Sequence, residues 1–188
     1  MKASPYPNNN VEVAQDFFED AFDLVLRFDC TFDDFSPIKT RRFKCFNDLR
    51  LAYECILKAI VAYRQPRDME RKALIAVVER YKHNISLLEN SILSTDGDRF
   101  GIEARGAELD QLPIGLRYAL DGKDFREAKE MEYYQTIGSD LWLHRLRVYI
   151  AGVRDAVGAA LGKECRIISP GDIPMEMLFG KKYNKFRQ

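Results

Sequence analysis

The chain has 188 residues, 46% of them hydrophobic and 12% aromatic, which is enough apolar material for the core of one domain. Lysine plus arginine and aspartate plus glutamate each number 29, so the overall charge does not point to a nucleic acid or an anionic membrane. No apolar run reaches the roughly 18 residues that cross a bilayer. The N-terminus has no apolar signal-peptide stretch, and the four cysteines have no metal-ligand spacing. We expect a cytoplasmic protein with reduced thiols, away from the membrane and without a metal site.

The N-terminal part predicts a flexible arm followed by a helix. Residues 1–10 are rich in proline and asparagine, which is typical of an irregular arm. From Val13 to Phe28, apolar residues recur at three- and four-residue steps, the pattern of an amphipathic helix. Pro37 disfavours helix at the residue before it, so the stretch 31–40 is predicted to break the chain between helices.

The central part predicts two or three further helices. A strongly apolar pattern runs from Phe46 to Tyr63, and a weaker one from Asp68 to Tyr81. The weaker pattern continues, directly or after a bend, into a helix over 85–93. The segment 94–106 is rich in turn residues, so it is not expected to be a regular helix throughout.

The longest predicted helix covers about residues 124–161. Apolar residues stand near helical spacing within it; they are Met131, Tyr134, Leu141, Val148 and Tyr149. Gly138, Gly152 and Gly158 weaken this helix, which indicates a bend or a close helix contact. Residues 163–188 predict an irregular tail that packs on the bundle or on a partner. The fold class is therefore predicted to be all-α, a bundle of about five helices over 11–162.

Two histidines limit the catalytic possibilities. We expect His83, at the start of a helix, to satisfy backbone groups at the turn. His144 and Arg147 are three residues apart on the last helix and share a face, either as a site or as a polar contact between helices. The chain has no phosphate-binding glycine loop, no zinc-binding helix motif and no Glu-x-x-His pair of a di-metal bundle. We therefore expect no cofactor and no metal.

Charge is unevenly distributed along the chain. Residues 1–38 carry eight acidic residues against Lys2 and Arg27. Basic residues follow directly and recur at the C-terminus, and the candidates for phosphate contacts among them are Arg41, Arg42, Lys44, Lys181 and Lys182. The alternative is that these stretches are solvated faces or contact each other, because exposed charge has a modest effect on stability.

Three segments together resemble the HEPN family of small helical bundles. They are FNDLRLAYECILKAIVAY (46–63), YKHNISLLENSIL (81–93) and LPIGLRYAL (112–120). The resemblance implies a helical bundle linked to bacterial nucleotide- or RNA-related systems, and a homodimer formed through helical faces. It also implies that Arg117, in an Arg-Tyr ahead of the last helices, has either a structural or a site role. Lys58 matches a lysine of the family's second helix and is expected to hold a carbonyl or an acidic group across the bundle.

Ribonucleases of this family carry an arginine followed, after four to six residues, by a histidine. Such a pair would hold the scissile phosphate and transfer a proton near neutral pH. Neither histidine here has that arginine, since Arg80 lies too close to His83, and Arg147 follows His144 rather than preceding it. The departure argues against the RNA cleavage typical of the family.

Three functions remain open on the sequence. The leading hypothesis is a non-catalytic HEPN-like binding or interaction protein of a bacterial defence, toxin–antitoxin or nucleotide-linked system, with a protein, RNA or nucleotide partner. The first alternative is a metal-independent RNA-cleaving enzyme with a rearranged site formed by His144, Arg147 and Arg117. The second is a regulatory subunit that docks through its C-terminal tail, where apolar residues lie beside basic ones.

Overall fold

The computed structural model describes residues 9–32, 38–112 and 119–162. These residues are 82% helical and include no strand, which confirms the all-α class. Eight helices are found among them: α1 (Asn9–Phe32), α2 (Ile38–Tyr63), α3 (Arg71–Glu79), α4 (Ile85–Phe100), α5 (Gly106–Gln111), α6 (Ala119–Ala128), α7 (Glu130–Gln135) and α8 (Asp140–Ala160). Arg117 and the predicted tail over 163–188 lie outside the described residues.

α2 is the centre of the bundle. Its apolar residues recur on every side of the helix, so it can be buried against several neighbours at once. It packs along α1 and also contacts α3, α4, α6 and α8. The fully buried side chains of α2 include Phe46, Leu49, Tyr53, Ile56, Leu57 and Ile60. The sequence pattern predicted this helix but began it at Phe46, whereas the structure begins it eight residues earlier.

The first helix begins inside the predicted N-terminal arm. Asn10 is only 4% exposed, and its side-chain amide donates to the backbone carbonyls of Tyr63 (2.9 Å) and Gln65 (3.0 Å). Carbonyls at the end of a helix have no partner within the helix, so Asn10 satisfies the carbonyl of the last residue of α2 and one in the turn that follows. Asn9 donates in the same way to the carbonyl of Met69 at 3.0 Å. The predicted arm therefore overlaps the helix by two residues.

The long helix predicted over 124–161 is divided into parts of α6, α7 and α8. The chain changes direction at Gly138, whose amide donates to the carbonyl of Tyr133 at 2.7 Å. A Cβ on Gly138 would lie 2.7 Å from the Tyr133 ring, so this close approach requires glycine. Ser139 then caps α8 by accepting from the amide of Trp142 at 3.3 Å. Gly152 and Gly158 lie within α8 and do not interrupt it.

The turn between α3 and α4 shows that these helices are separate. Lys82 has a φ of 49°, in the left-handed region that side chains rarely adopt. Asn84 caps α4 by accepting from the amide of Leu87 at 2.8 Å. α4 runs on to Phe100 and ends at Gly101, so the first part of the segment 94–106 is helical. Within the described ranges, none of the helices combines the length and apolar character of a membrane span.

Candidate functional site

A row of charged side chains lies along one buried side of α2. Arg50, Glu54 and Lys58 are spaced four residues apart, and their side chains are 1%, 4% and 8% exposed. The Lys58 ammonium is 2.9 Å from Glu54 Oε1, and Arg50 Nη1 is 3.8 Å from Glu54 Oε2. One buried carboxylate thus stands between two buried cations. Such charges are tolerated inside a protein only when they are paired.

His83 is the third partner of Glu54. Its Nδ1 is 3.0 Å from Oε1 and 3.2 Å from Oε2 of that carboxylate, although its own side chain is 63% exposed. A neutral imidazole in this position donates from Nδ1, which leaves Nε2 as an acceptor. The expectation that the His83 ring satisfies backbone groups is therefore wrong, since the ring contacts a carboxylate of α2. Lys58 holds an acidic group, as predicted, but that group belongs to Glu54 on the same helix and not to another helix across the bundle.

Arg50 connects this row to the start of α4. It donates to the carbonyl of His83 (2.9 Å) and to Asp110 Oδ1 (3.0 Å). Asp110 also accepts from the backbone amides of Ile85 (3.1 Å) and Ser86 (2.8 Å). The positive end of α4 is thus occupied by a carboxylate of this chain, so it offers no open site for an external anion.

A second buried polar group joins α2, α4 and α8. The Tyr53 hydroxyl donates to Glu89 Oε1 at 2.8 Å and lies 2.9 Å from the Tyr149 hydroxyl. Glu89 further accepts from the amides of Arg105 (3.1 Å) and Gly106 (2.6 Å). Burial raises the pKa of Glu89, and burial also raises the pKa of the Tyr53 hydroxyl. Because each member is bonded within the chain, this group serves to hold the helices together.

Two of the three predicted catalytic residues, His144 and Arg147, lie within the described residues and have different surroundings. Arg147 forms two hydrogen bonds to Asp29 of α1, at 2.9 and 2.6 Å, and this pairing raises the pKa of Arg147. His144 is exposed, and no contact is found between it and Arg147 among the described side chains. Arg117, the third candidate, lies outside the described residues. Arg147 thus acts as a link between α8 and α1.

The predicted phosphate-binding residues of α2 have different surroundings. Arg42 donates to both carboxylate oxygens of Asp140, at 3.0 and 3.1 Å, and so connects α2 to the start of α8. The Arg41 guanidinium lies 5.8 Å from the centre of the Phe32 ring. Lys44 is exposed. Lys181 and Lys182 lie outside the described residues.

The outward side of α8 is an exposed surface with an apolar centre. We call it the α8 outer face, and its members are Leu141, Arg145, Val148, Gly152, Asp155 and Ala159. Leu141 and Val148 are 59% and 53% exposed, while Ile150, on the opposite side of the helix, is fully buried. On the preceding α7, Met131 and Tyr134 are 72% and 55% exposed. Four of the five apolar positions that predicted the late helix therefore point outward.

The chain matches no protein-family model, no curated protein and no solved structure. Across the described ranges, no group of three or more His, Cys, Asp or Glu residues is arranged to hold a metal ion. Function is therefore inferred from two features: the Glu54–His83 contact and the α8 outer face.

Proposed function

We propose that this chain is a non-catalytic HEPN-like interaction module that binds protein through the α8 outer face. The exposed apolar surface of α7 and α8 is the observation that carries the proposal. Six large apolar side chains are exposed among the described residues, and four of them are on these two helices. Leu141 and Val148 share the α8 outer face, and exposed apolar side chains that share a face are typical of protein-binding sites, whereas single exposed apolar residues are normal. The link to bacterial defence, toxin–antitoxin or nucleotide-related systems comes from the sequence resemblance.

The ion pairs of the late helices support the non-catalytic part of the proposal. Arg147 would have to leave Asp29 before it could hold a phosphate, and a bidentate arginine–carboxylate pair is among the stronger polar contacts in proteins. Arg42 is held by Asp140 in the same bidentate way. Arg42 and Arg147, two of the cations that the sequence offered for phosphate contacts or for a site, are thus engaged in joining helices.

An RNA-cleavage assay tests this part. The purified chain, incubated with bulk RNA in a metal chelator, is expected to leave the RNA intact. Cleavage that disappears in a His144→Ala variant would overturn the proposal and establish the enzyme that the sequence left open.

A second candidate function is metal-independent acid–base chemistry at His83, on RNA as the substrate. The observation in its favour is an exposed imidazole oriented by a buried carboxylate, with Arg80 and Lys82 exposed in the same turn. In the same assay, cleavage lost in His83→Ala but kept in His144→Ala, with circular dichroism showing both variants folded, would establish this candidate. Intact RNA with the wild-type chain removes it.

A further inference from the structure

We infer that His83 is a phosphoryl-acceptor residue, and that its Nε2 takes a phosphoryl group from a phosphoramidate, the class of donor in which a P–N bond carries that group. The inference does not rest on the proposed function, because it concerns the turn between α3 and α4 and not the α8 outer face. It also differs from acid–base chemistry at the same ring, since Nε2 here forms a bond to phosphorus.

The His83 ring is fixed in position although it is exposed. Its Nδ1 lies 3.0 Å and 3.2 Å from the two carboxylate oxygens of Glu54. That carboxylate is 4% exposed and is itself held by the Lys58 ammonium at 2.9 Å. The backbone carbonyl of His83 accepts from Arg50 Nη2 at 2.9 Å, so the main chain is anchored at the same residue. A carboxylate on one ring nitrogen sets the tautomer and the orientation of an imidazole and makes the other nitrogen more basic.

Nε2 is the nitrogen that this arrangement leaves open. The side chain of His83 is 63% exposed, and no hydrogen bond to Nε2 is found among the described residues. Glu54 already has Lys58 as a counter-ion, so the contact with His83 is not needed to pair that buried charge. An imidazole held by a third group, with a free lone pair at the surface, is the arrangement of a nucleophile.

The charge around the ring favours an anionic donor. Arg80 and Lys82 are exposed in the same turn, where Glu79 is the only exposed carboxylate among residues 79–84. The Glu54 carboxylate is buried against Lys58, so its charge is already offset on the side that faces away from the donor. A transferred phosphoryl group carries up to about two negative charges near neutral pH, and opposite charges nearby stabilise it.

The transfer balances without a further reactant. The lone pair of Nε2 attacks phosphorus, the Nε2–P bond forms, and the P–N bond of the donor breaks. The donor nitrogen, protonated in the reactive form, leaves as a neutral amine with the electrons of the broken bond. The ring keeps its proton on Nδ1 and gains a positive charge, which the Glu54 carboxylate at 3.0 Å offsets. His83 is thus the acceptor, and Glu54 is a positioning residue.

His144 is a matched control within the same chain. It is also exposed, but no hydrogen bond to its ring is found among the described side chains. The folded chain is incubated with phosphoramidate at about pH 8, where an ordinary imidazole is neutral, and mass spectrometry of the peptides under alkaline conditions follows both residues. We expect His83 to be phosphorylated faster than His144 by about tenfold or more, because a charge-assisted hydrogen bond strengthens as the ring becomes positive. In urea the two rates should become equal. Equal rates in the folded chain overturn the inference.

The identity of the phosphorylated nitrogen gives a second readout. Glu54 covers Nδ1, so nitrogen-15 NMR of the phosphorylated chain should place the phosphoryl group of His83 on Nε2 alone. A phosphoryl group on Nδ1 overturns the inference, because that product requires the ring to leave the carboxylate.

Glu54→Gln tests the positioning residue. The amide removes the negative charge behind the ring, so the rate at His83 should fall about tenfold while the rate at His144 stays the same. Circular dichroism checks that the variant is folded. A folded variant that is phosphorylated at the wild-type rate overturns the inference. If the variant does not fold, the comparison with His144 and the position of the phosphoryl group in the wild-type chain decide.

Discussion

Replacing Glu54 should destabilise the protein far more than the loss of an ordinary surface ion pair does. Glu54→Gln keeps the size of the side chain but removes the only carboxylate within ion-pair distance of Lys58 among the described residues. The Lys58 ammonium, 8% exposed, then remains buried without a counter-ion. Removing one partner of a buried pair costs about 3–5 kcal/mol of unfolding free energy. With a urea dependence of about 2 kcal/mol/M, the unfolding midpoint should fall by about 2 M.

A second substitution, at Lys58, distinguishes the loss of a charge from the loss of packing as the cause of the lower stability. Lys58→Met alone leaves Glu54 with His83 at 3.0 Å and Arg50 at 3.8 Å, so it should cost only about 1 kcal/mol. The double variant removes both charges and should be more stable than Glu54→Gln by about 2 kcal/mol. The matched control is Glu127→Gln, which breaks a Lys123–Glu127 pair of the same spacing whose side chains are both 59% exposed. That change should cost about 0.5 kcal/mol or less.

Urea unfolding followed by circular dichroism at neutral pH measures the four variants. A Glu54→Gln variant within about 1 kcal/mol of the wild type would refute the reasoning, because it would mean that the buried lysine needs no carboxylate. If the double variant is no more stable than Glu54→Gln, the loss of stability comes from packing and not from the unpaired charge.

Three further predictions concern the rest of the bundle. Gly152→Ala should raise monomer stability by about 1 kcal/mol. Gly106→Ala should lower it by about 2 kcal/mol, because a Cβ on Gly106 would lie 2.6 Å from Glu89 Oε2 and from the Ser86 backbone. Thermal unfolding of the two variants at low protein concentration measures these changes, and equal shifts of the unfolding temperature would contradict the prediction. The raised pKa of Glu89 means that its contribution to stability is full below its ordinary pKa of 4.5 and is lost as the pH rises through the folded-state pKa. The wild type should therefore lose stability relative to Glu89→Gln as the pH rises above 4.5, and a difference independent of pH would contradict the burial of this carboxyl. Burial raises the pKa of the Cys45 thiol to about 12, so iodoacetamide at pH 8 should modify Cys45 only after unfolding. Burial also raises the pKa of Cys30, but this side chain is partly exposed, so it should be modified in the native protein faster than Cys45. Mass spectrometry of the alkylated peptides measures both.

Apolar spacing was sufficient to predict the fold class and the first two helices. The pattern from Val13 to Phe28 lies within α1, and that from Phe46 to Tyr63 lies within α2, since both helices bury apolar residues at helical spacing. The division at Gly138 could not be located in the same way. It depends on a contact with the carbonyl and ring of Tyr133, which only the folded chain provides.

The candidate sites were harder to predict from the sequence than the fold was. The spacing of Glu54 and Lys58 indicates a helix pair, but the burial of that pair and the arrival of His83 from the α3–α4 turn are tertiary effects. Spacing showed that Leu141 and Val148 share a side of a helix without showing whether that side faces the core. The sequence indicated a bend or a close helix contact at Gly138, Gly152 and Gly158 together, and of these Gly152 lies on the α8 outer face.

Sedimentation velocity of the wild-type chain is the most direct test that α8 is an interaction surface, because the resemblance to the HEPN family implies a homodimer formed through helical faces. The experiment spans about 1–100 µM, a range in which a micromolar dimer would dissociate on dilution. We predict a species of twice 21.8 kDa that shifts towards the monomer as the chain is diluted, and that is lost at every concentration in a Val148→Glu variant with unchanged helical content. A single species of 21.8 kDa over the whole range would contradict self-association through α8.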